Sequence, residues 1–202
     1  MSVDKYHSYE LLKKSEKQNE DYTIQVKNRS PQYLIMAPHG GGIEPGTTEI
    51  AEFIAGDVHS FYTFSGTKKK GNKELHIASE QYDEPNALMT VKASDTVITI
   101  HGCEGNEQYV FLGGLNDELI KKISFALDKV GFSVKQTGKP HLAGKHPNNI
   151  CNLCKTNKGI QIEISHGLRK LMFKEMDRIG RKERTDKFNV FVQTIKDVLE
   201  NV

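Results

Sequence analysis

The sequence predicts a single α/β domain with a mixed, mostly parallel sheet flanked by helices, and three observations predict it. Short runs that are almost continuously apolar, such as Tyr33-Leu-Ile-Met-Ala and Thr96-Val-Ile-Thr-Ile, have the character of strands buried on both faces. Segments with apolar residues at helical spacing alternate with them. The length of 202 residues suits one large domain, and no internal repeat or low-complexity tract suggests a second.

Taken in order, strands are expected at Tyr22 to Val26, Tyr33 to Ala37, Ser60 to Phe64, Glu74 to Ala78, Thr96 to Ile100, Tyr109 to Leu112, Phe132 to Gln136 and Gly159 to Ile164. Clusters of Gly, Asn, Pro and Lys punctuate them. Thr47 or Thr48 is placed to cap a short helix with Ile50, Phe53 and Ile54 on one face. Asn116 is placed to cap another that carries Leu119, Ile120, Ile123, Leu127 and Val130 before Gly131. The clearest helix runs from Asp186 to Leu199, with Phe188, Phe191, Val192, Ile195, Val198 and Leu199 forming its core-facing stripe.

Composition bounds the function. Hydrophobic residues are 37% and charged residues 27%, and neither an apolar run long enough to span a bilayer nor a secretory leader is visible. Synthesis in the cytoplasm without a signal peptide is the expectation. The net charge of +2 comes from 28 basic against 26 acidic residues, too balanced to argue for nucleic acid or a membrane surface as partner. Any anionic substrate must be held locally. Three cysteines, Cys103, Cys151 and Cys154, are an odd number and do not form a disulfide framework.

Function in an open α/β sheet gathers where strands end at their carboxyl edge. Three apolar segments deliver an ionisable side chain there: Tyr33-Leu-Ile-Met-Ala-Pro ends at His39 with Glu44 five residues on, Thr96-Val-Ile-Thr-Ile runs into His101, and Gly159-Ile-Gln-Ile-Glu-Ile-Ser carries Glu163. Two histidines and a carboxylate can hold a catalytic zinc with a fourth position left for water, so His39, Glu44 and His101 are the expected ligands. Gly40, Gly41 and Gly42 would let one loop bend two ligands back onto one ion. Glu163, outside that set, would be the general base. The loop alone also fits a plain turn. A phosphate cradle fits less well, because Gly40-Gly-Gly-Ile-Glu-Pro-Gly-Thr-Thr lacks the lysine of a P-loop and Glu44 would repel an anion.

Other polar residues carry weaker signals. His7, His59 and His76 read as surface or structural residues, while His141, His146 and His166 flank the Glu163 strand and could line the same cleft. Cys151-Asn-Leu-Cys154 is a CxxC pair without the second pair that a structural zinc site needs, and it reads as two incidental thiols. Lys68, Lys69 and Lys70 read as a solvated loop.

The segments Ala37-Pro-His-Gly-Gly-Gly-Ile-Glu-Pro-Gly-Thr-Thr-Glu-Ile-Ala, Thr96-Val-Ile-Thr-Ile-His-Gly-Cys-Glu-Gly and Asn149-Ile-Cys-Asn-Leu-Cys-Lys-Thr-Asn-Lys-Gly-Ile-Gln-Ile-Glu-Ile-Ser-His-Gly-Leu-Arg169, in that order, resemble the poly-γ-glutamate hydrolase family of Bacillus phages and related prophage and bacterial sequences. The resemblance runs from about residue 5 to the C-terminus. It implies a core similar to the zinc carboxypeptidases, one catalytic domain over residues 1–202, and a single zinc ion held by His39, Glu44 and His101, with Glu163 as catalytic carboxylate. Cleavage of the γ-amide backbone of poly-γ-glutamate is the implied activity. The carboxypeptidases use His-x-x-Glu, whereas four residues separate His39 from Glu44.

Such a polymer carries a free α-carboxylate on every unit. Arg169, six residues past Glu163, is the best placed group to grip one through paired hydrogen bonds, with Lys145, Asn148 and Asn149 as further candidates. The expected partner is the polymer, with no nucleic acid or membrane, met by a monomer outside the cell after release. Two alternatives belong to other classes: a metal-dependent amidohydrolase of a small N-acyl-glutamate or N-acyl-aspartate, and a polymer-binding protein without turnover.

Overall fold

The computed structural model describes residues 4–201. One seven-stranded sheet runs through it in the order β1-β3-β2-β4-β7-β5-β6. Its strands are β1 (Tyr22–Lys27), β2 (Ser30–Gly41), β3 (His59–Gly66), β4 (Thr96–Cys103), β5 (Val110–Gly114), β6 (Val134–Lys135) and β7 (Ile160–Ser165). The β3-β2-β4-β7 centre is parallel throughout, β1 and β5 join it antiparallel, and β6 runs parallel to β5. The mixed, mostly parallel sheet expected from the sequence is therefore present.

The sheet buries both faces. On one, Ile35, Ile98, Ile100, Ile160, Ile162 and Ile164 meet the apolar sides of α2 (Thr47–Ala55), α4 (Asp117–Lys129), α5 (His166–Met172) and α6 (Asp186–Glu200). On the other, Leu34, Met36, Tyr62, Phe64 and Val97 meet α1 (Tyr9–Ser15), α3 (Pro85–Ala93) and the Ile150–Leu153 turn. Asn116 caps α4 as expected, its side chain accepting from Leu119 N, with Asp117 and Glu118 favourably placed against the helix dipole. In α6 the anticipated stripe is core: Phe188, Phe191, Val192, Ile195 and Leu199 are buried.

Several expectations fail for local reasons. Glu74 to Ala78 is not a strand: Gly71, at φ 79°, opens a short 3-10 turn over Asn72–Leu75, and Leu75 and Ile77 pack as a loop on the second face. Phe132 to Gln136 contributes only the two residues of β6. Neither Thr47 nor Thr48 caps α2. Gly46, at φ 99°, occupies that position without a side-chain bond, and the threonine hydroxyls tie the preceding loop instead. Phe53 and Val130 stay exposed at 41% and 47%. The sequence does not announce helix α3, because its buried Ala87, Thr90 and Val91 make no clean apolar stripe; Pro85 at its start and the capping carboxylate of Glu84 hold it. Among the described residues no helix is long and apolar enough to cross a membrane.

Candidate active site

The site rests on the three central parallel strands. Met36, Thr99 and Gln161 form one row across β2, β4 and β7, and two residues further along His101 pairs with Glu163. Parallel strands in register project such partners to the same face, here the one opposite the isoleucines. Simple alternation would put His39 on the wrong face, with Tyr33, Ile35 and Ala37. However, β2 spends three steps from Ala37 to Gly40 where β3 spends two, from Thr63 to Ser65. This one-residue bulge turns His39 over to join His101.

The following loop closes on itself. Glu44 N donates to His39 O at 2.9 Å and Ile43 N to Gly40 O at 3.2 Å, which brings the Glu44 carboxylate back over His39. Gly41 sits at φ 64°, and a Cβ there would lie 2.5 Å from Gly66 O. At Gly40 the need is room rather than φ, since a Cβ would collide with the hydroxyls of Thr48 and Thr63.

His39 Nδ1, His101 Nδ1 and the Glu44 carboxylate then converge. The two ring nitrogens are 3.2 Å apart, His39 Nδ1 is 3.3 Å from Glu44 Oε1, and His101 Nδ1 is 3.7 Å from Glu44 Oε2. Tetrahedral zinc with ligands at about 2.0–2.2 Å separates its ligand atoms by roughly 3.3–3.6 Å, so this donor set fits one such ion. Its supports fit as well. His39 Nε2 lies 2.8 Å from Ile77 O, which fixes the ring and leaves Nδ1 facing inward, and Glu44 Oε2 accepts from Gly102 N at 2.8 Å. His101 Nε2 is buried without a hydrogen-bond partner among the described residues, so Nδ1 is its engaged nitrogen.

The charges reinforce one another. Burial opposes ionisation of Glu44, but His39 and then His101 outweigh it and hold the carboxyl down at about 2. Burial likewise opposes the charge on His39, yet Glu44 wins and its pKa is raised. Burial, partly offset by Glu44 and helped by His39, brings His101 down to about 3, so its ring stays a neutral donor atom. Glu163 differs: burial, then the charge of Glu44, push its pKa well above the ordinary carboxylate range, against the pull of Gln161 and Arg169.

The predicted substrate residues separate. Arg169 is buried, and it gives Nε to Ile164 O at 3.0 Å, Nη1 to Pro45 O at 2.7 Å and Nη2 to Cys103 O at 3.1 Å. It lies against Gly102, whose missing Cβ leaves space for the guanidinium, and it borders a cleft shared with Glu44, Lys73 and His166. A second cleft meets the first at Glu44, His76, Gly102 and Glu104 and runs on past Glu163, Tyr109 and Lys139. Asn149 borders this second cleft but is buried, with Nδ2 given to Gln161. Lys145 lines a different groove, between α4 and β6, and Asn148 is exposed. His166 borders the first cleft, His146 is exposed, and the side chain of His141 lies outside the described set.

Two residues here escape the sequence: His76, which reads there as surface or structural, and Gln161, which carries no reading. His76 stacks on His39 at 4.0 Å and faces both clefts, hidden by the expectation of a strand. Gln161, two residues before Glu163 on the same face of β7, donates to Glu163 Oε1 at 2.9 Å. Its spacing was a signal that could have found it. The three cysteines are free and buried, and burial pushes the Cys103 thiol up to about 12. Lys68 is not a free loop charge, since it pairs with the buried Glu16 at 2.5 Å.

Comparison with known proteins points the same way. A sequence model described as poly-gamma-glutamate hydrolase matches residues 6–194. The SPbeta prophage-derived protein YoqZ of Bacillus subtilis (strain 168) is 38% identical over 182 residues, covering 90% of this chain but 66% of YoqZ, so the chain spans just under two thirds of that relative. YndL of Bacillus subtilis (strain 168) is 36% identical over 201 residues, covering 98% of this chain and 79% of YndL. A zinc-free structure of YndL superposes with a TM-score of 0.93, covering 98% of each chain. The structure of a bacteriophage poly-gamma-glutamate hydrolase superposes with a TM-score of 0.95 at 30% identity, again covering 98% of each.

Proposed function

Because the chain belongs to the poly-γ-glutamate hydrolase family, we propose that it is a zinc-dependent hydrolase that cleaves the γ-glutamyl amide bonds of poly-γ-glutamate, with one ion held by His39, Glu44 and His101. The observation that carries this reading is the approach of these three donors to within 3.2–3.7 Å of one another, beside a buried glutamate on the next strand. When bound, zinc would polarise the scissile carbonyl and make a water easier to deprotonate.

The rest falls to the chain's own groups. Glu163 takes a proton from the attacking water and returns it to the leaving nitrogen. Arg169 has one N–H left on each terminal nitrogen beyond those given to Pro45 and Cys103, enough to receive an α-carboxylate on the wall of the first cleft. The two clefts, which meet at Glu44, give an extended substrate room beyond the donor set. A small N-acyl amino acid would need only one of them.

The deciding experiment follows polymer length on a gel after incubation with purified protein, with and without chelator. Shortening that stops with chelator and with Glu163→Gln is expected. Undiminished cleavage by Glu163→Gln would remove the proposed base, and no polymer cleavage alongside release of acid from a small N-acyl-glutamate would favour the amidohydrolase alternative.

A further inference from the structure

A glutamine buried to 1% exposure in the middle of a sheet demands an account. Burying an amide is costly unless its groups are bonded, and Gln161 bonds both ends: its Oε1 accepts from Asn149 Nδ2 at 2.8 Å and its Nε2 donates to Glu163 Oε1 at 2.9 Å. A longer 3.5 Å contact runs from Nε2 to Leu142 O.

The orientation of both amides follows from one backbone group. Cys151 N–H can only donate, and it points at Asn149 Oδ1 at 3.1 Å. Asn149 must therefore turn its NH2 toward Gln161. Gln161 must answer with its oxygen, which leaves its own NH2 for Glu163. The loop around the pair is fixed in turn, because Asn152 Nδ2 holds Gly144 O at 2.8 Å and His146 O at 3.0 Å. Gly144 packs against Gln161, where a Cβ would come within 2.7 Å of the glutamine Cβ. Neither amide can flip without leaving two donors face to face.

We propose that Gln161 is a positioning residue for the reaction: its N–H occupies Glu163 Oε1 and so reserves Oε2 as the oxygen that takes the proton from water and returns it to the leaving nitrogen. Asn149 acts through Gln161 rather than on the substrate. Because Oε1 already accepts the glutamine N–H, it is the less basic oxygen, and the carboxyl presents Oε2 to the water. The inference rests on Glu163 being the general base, as proposed above.

The test uses the zinc-loaded protein with poly-γ-glutamate, comparing wild type, Glu163→Gln, Gln161→Met, Asn149→Ser and the Gln161→Met/Asn149→Ser double variant. Methionine keeps the length of glutamine without its donor, and serine can still accept from Cys151 N but does not reach Gln161. Gln161→Met is expected to lower kcat by roughly a hundredfold with KM and bound zinc held, while the melting temperature falls by a few degrees because Asn149 Nδ2 loses its acceptor. Asn149→Ser should lower kcat by about tenfold, and add nothing in the Gln161→Met background. Wild-type kcat in Gln161→Met, or additive losses in the double variant, would overturn the assignment. If Gln161→Met does not fold, wild-type kcat in Asn149→Ser overturns it alone. An active Glu163→Gln removes the base itself, which separates failure of the parent reading from failure of this one.

Discussion

The two faces of β4 and β7 are built from alternate residues of the same strands and do opposite work. Toward α2, α4, α5 and α6 they present Ile98, Ile100, Ile160, Ile162 and Ile164. Toward the second cleft they present His101, Gln161 and Glu163, all buried. The first face contributes stability through area removed from water. The second places a neutral imidazole, one nitrogen of which has no partner among the described residues, and a carboxyl held above its ordinary pKa, each a cost to folding. A site of this kind is affordable only because the opposite face of the same strands is so apolar.

Substitutions can break that contrast. The largest effect is expected from His101→Ala, which removes one of three donors: cleavage should fall by at least about a thousandfold, with loss of bound zinc and a chelated-state melting temperature no lower than wild type. Elemental analysis and calorimetry check this, and retention of full activity would detach His101 from the chemistry. Next is Ile162→Ala, one residue from Glu163 on the other face. It should cost about 2–4 kcal/mol of stability, lowering the melting temperature by several degrees, while kcat below the transition is nearly unchanged.

The smallest effect sharpens the contrast most. Glu163 has a folded pKa above its unfolded value, so its contribution to stability is present below the unfolded value near 4.5 and is lost as pH rises through the raised one. In chelated protein, Glu163→Gln should therefore match wild type near pH 4 and become more stable, by about 1 kcal/mol, as pH rises toward 8. Glu44 works in the other direction, its stabilising charge being present above 4.5 and lost as pH falls toward about 2, but it is common to both proteins and cancels. Melting curves across that pH range decide the point; parallel curves would mean that Glu163 carries no strain.

Much was legible in the sequence because it was local. Apolar runs marked the central strands, Asn116 and the Phe188–Leu199 stripe marked their helices, and His39, His101 and Glu163 stood where strands end. Three motifs in order carried the family. What stayed hidden depended on contacts distant in sequence. Glu74 to Ala78 alternates like a strand, yet it covers the site as a loop, where Ile77 O orients His39 and His76 stacks on it. Arg169 read as a group for the substrate, and only the folded chain shows three of its donors committed to carbonyls 5, 66 and 124 residues away.

By itself the sequence determined the α/β class, the order of the central strands' polar ends and the chemical types gathered there, because hydrophobic period and residue chemistry act within a few positions. The tertiary structure alone decided which face those ends use. Alternation sends His39 into the isoleucine core, and the extra residue between Ala37 and Gly40, visible only against its partner strand, turns it to meet His101.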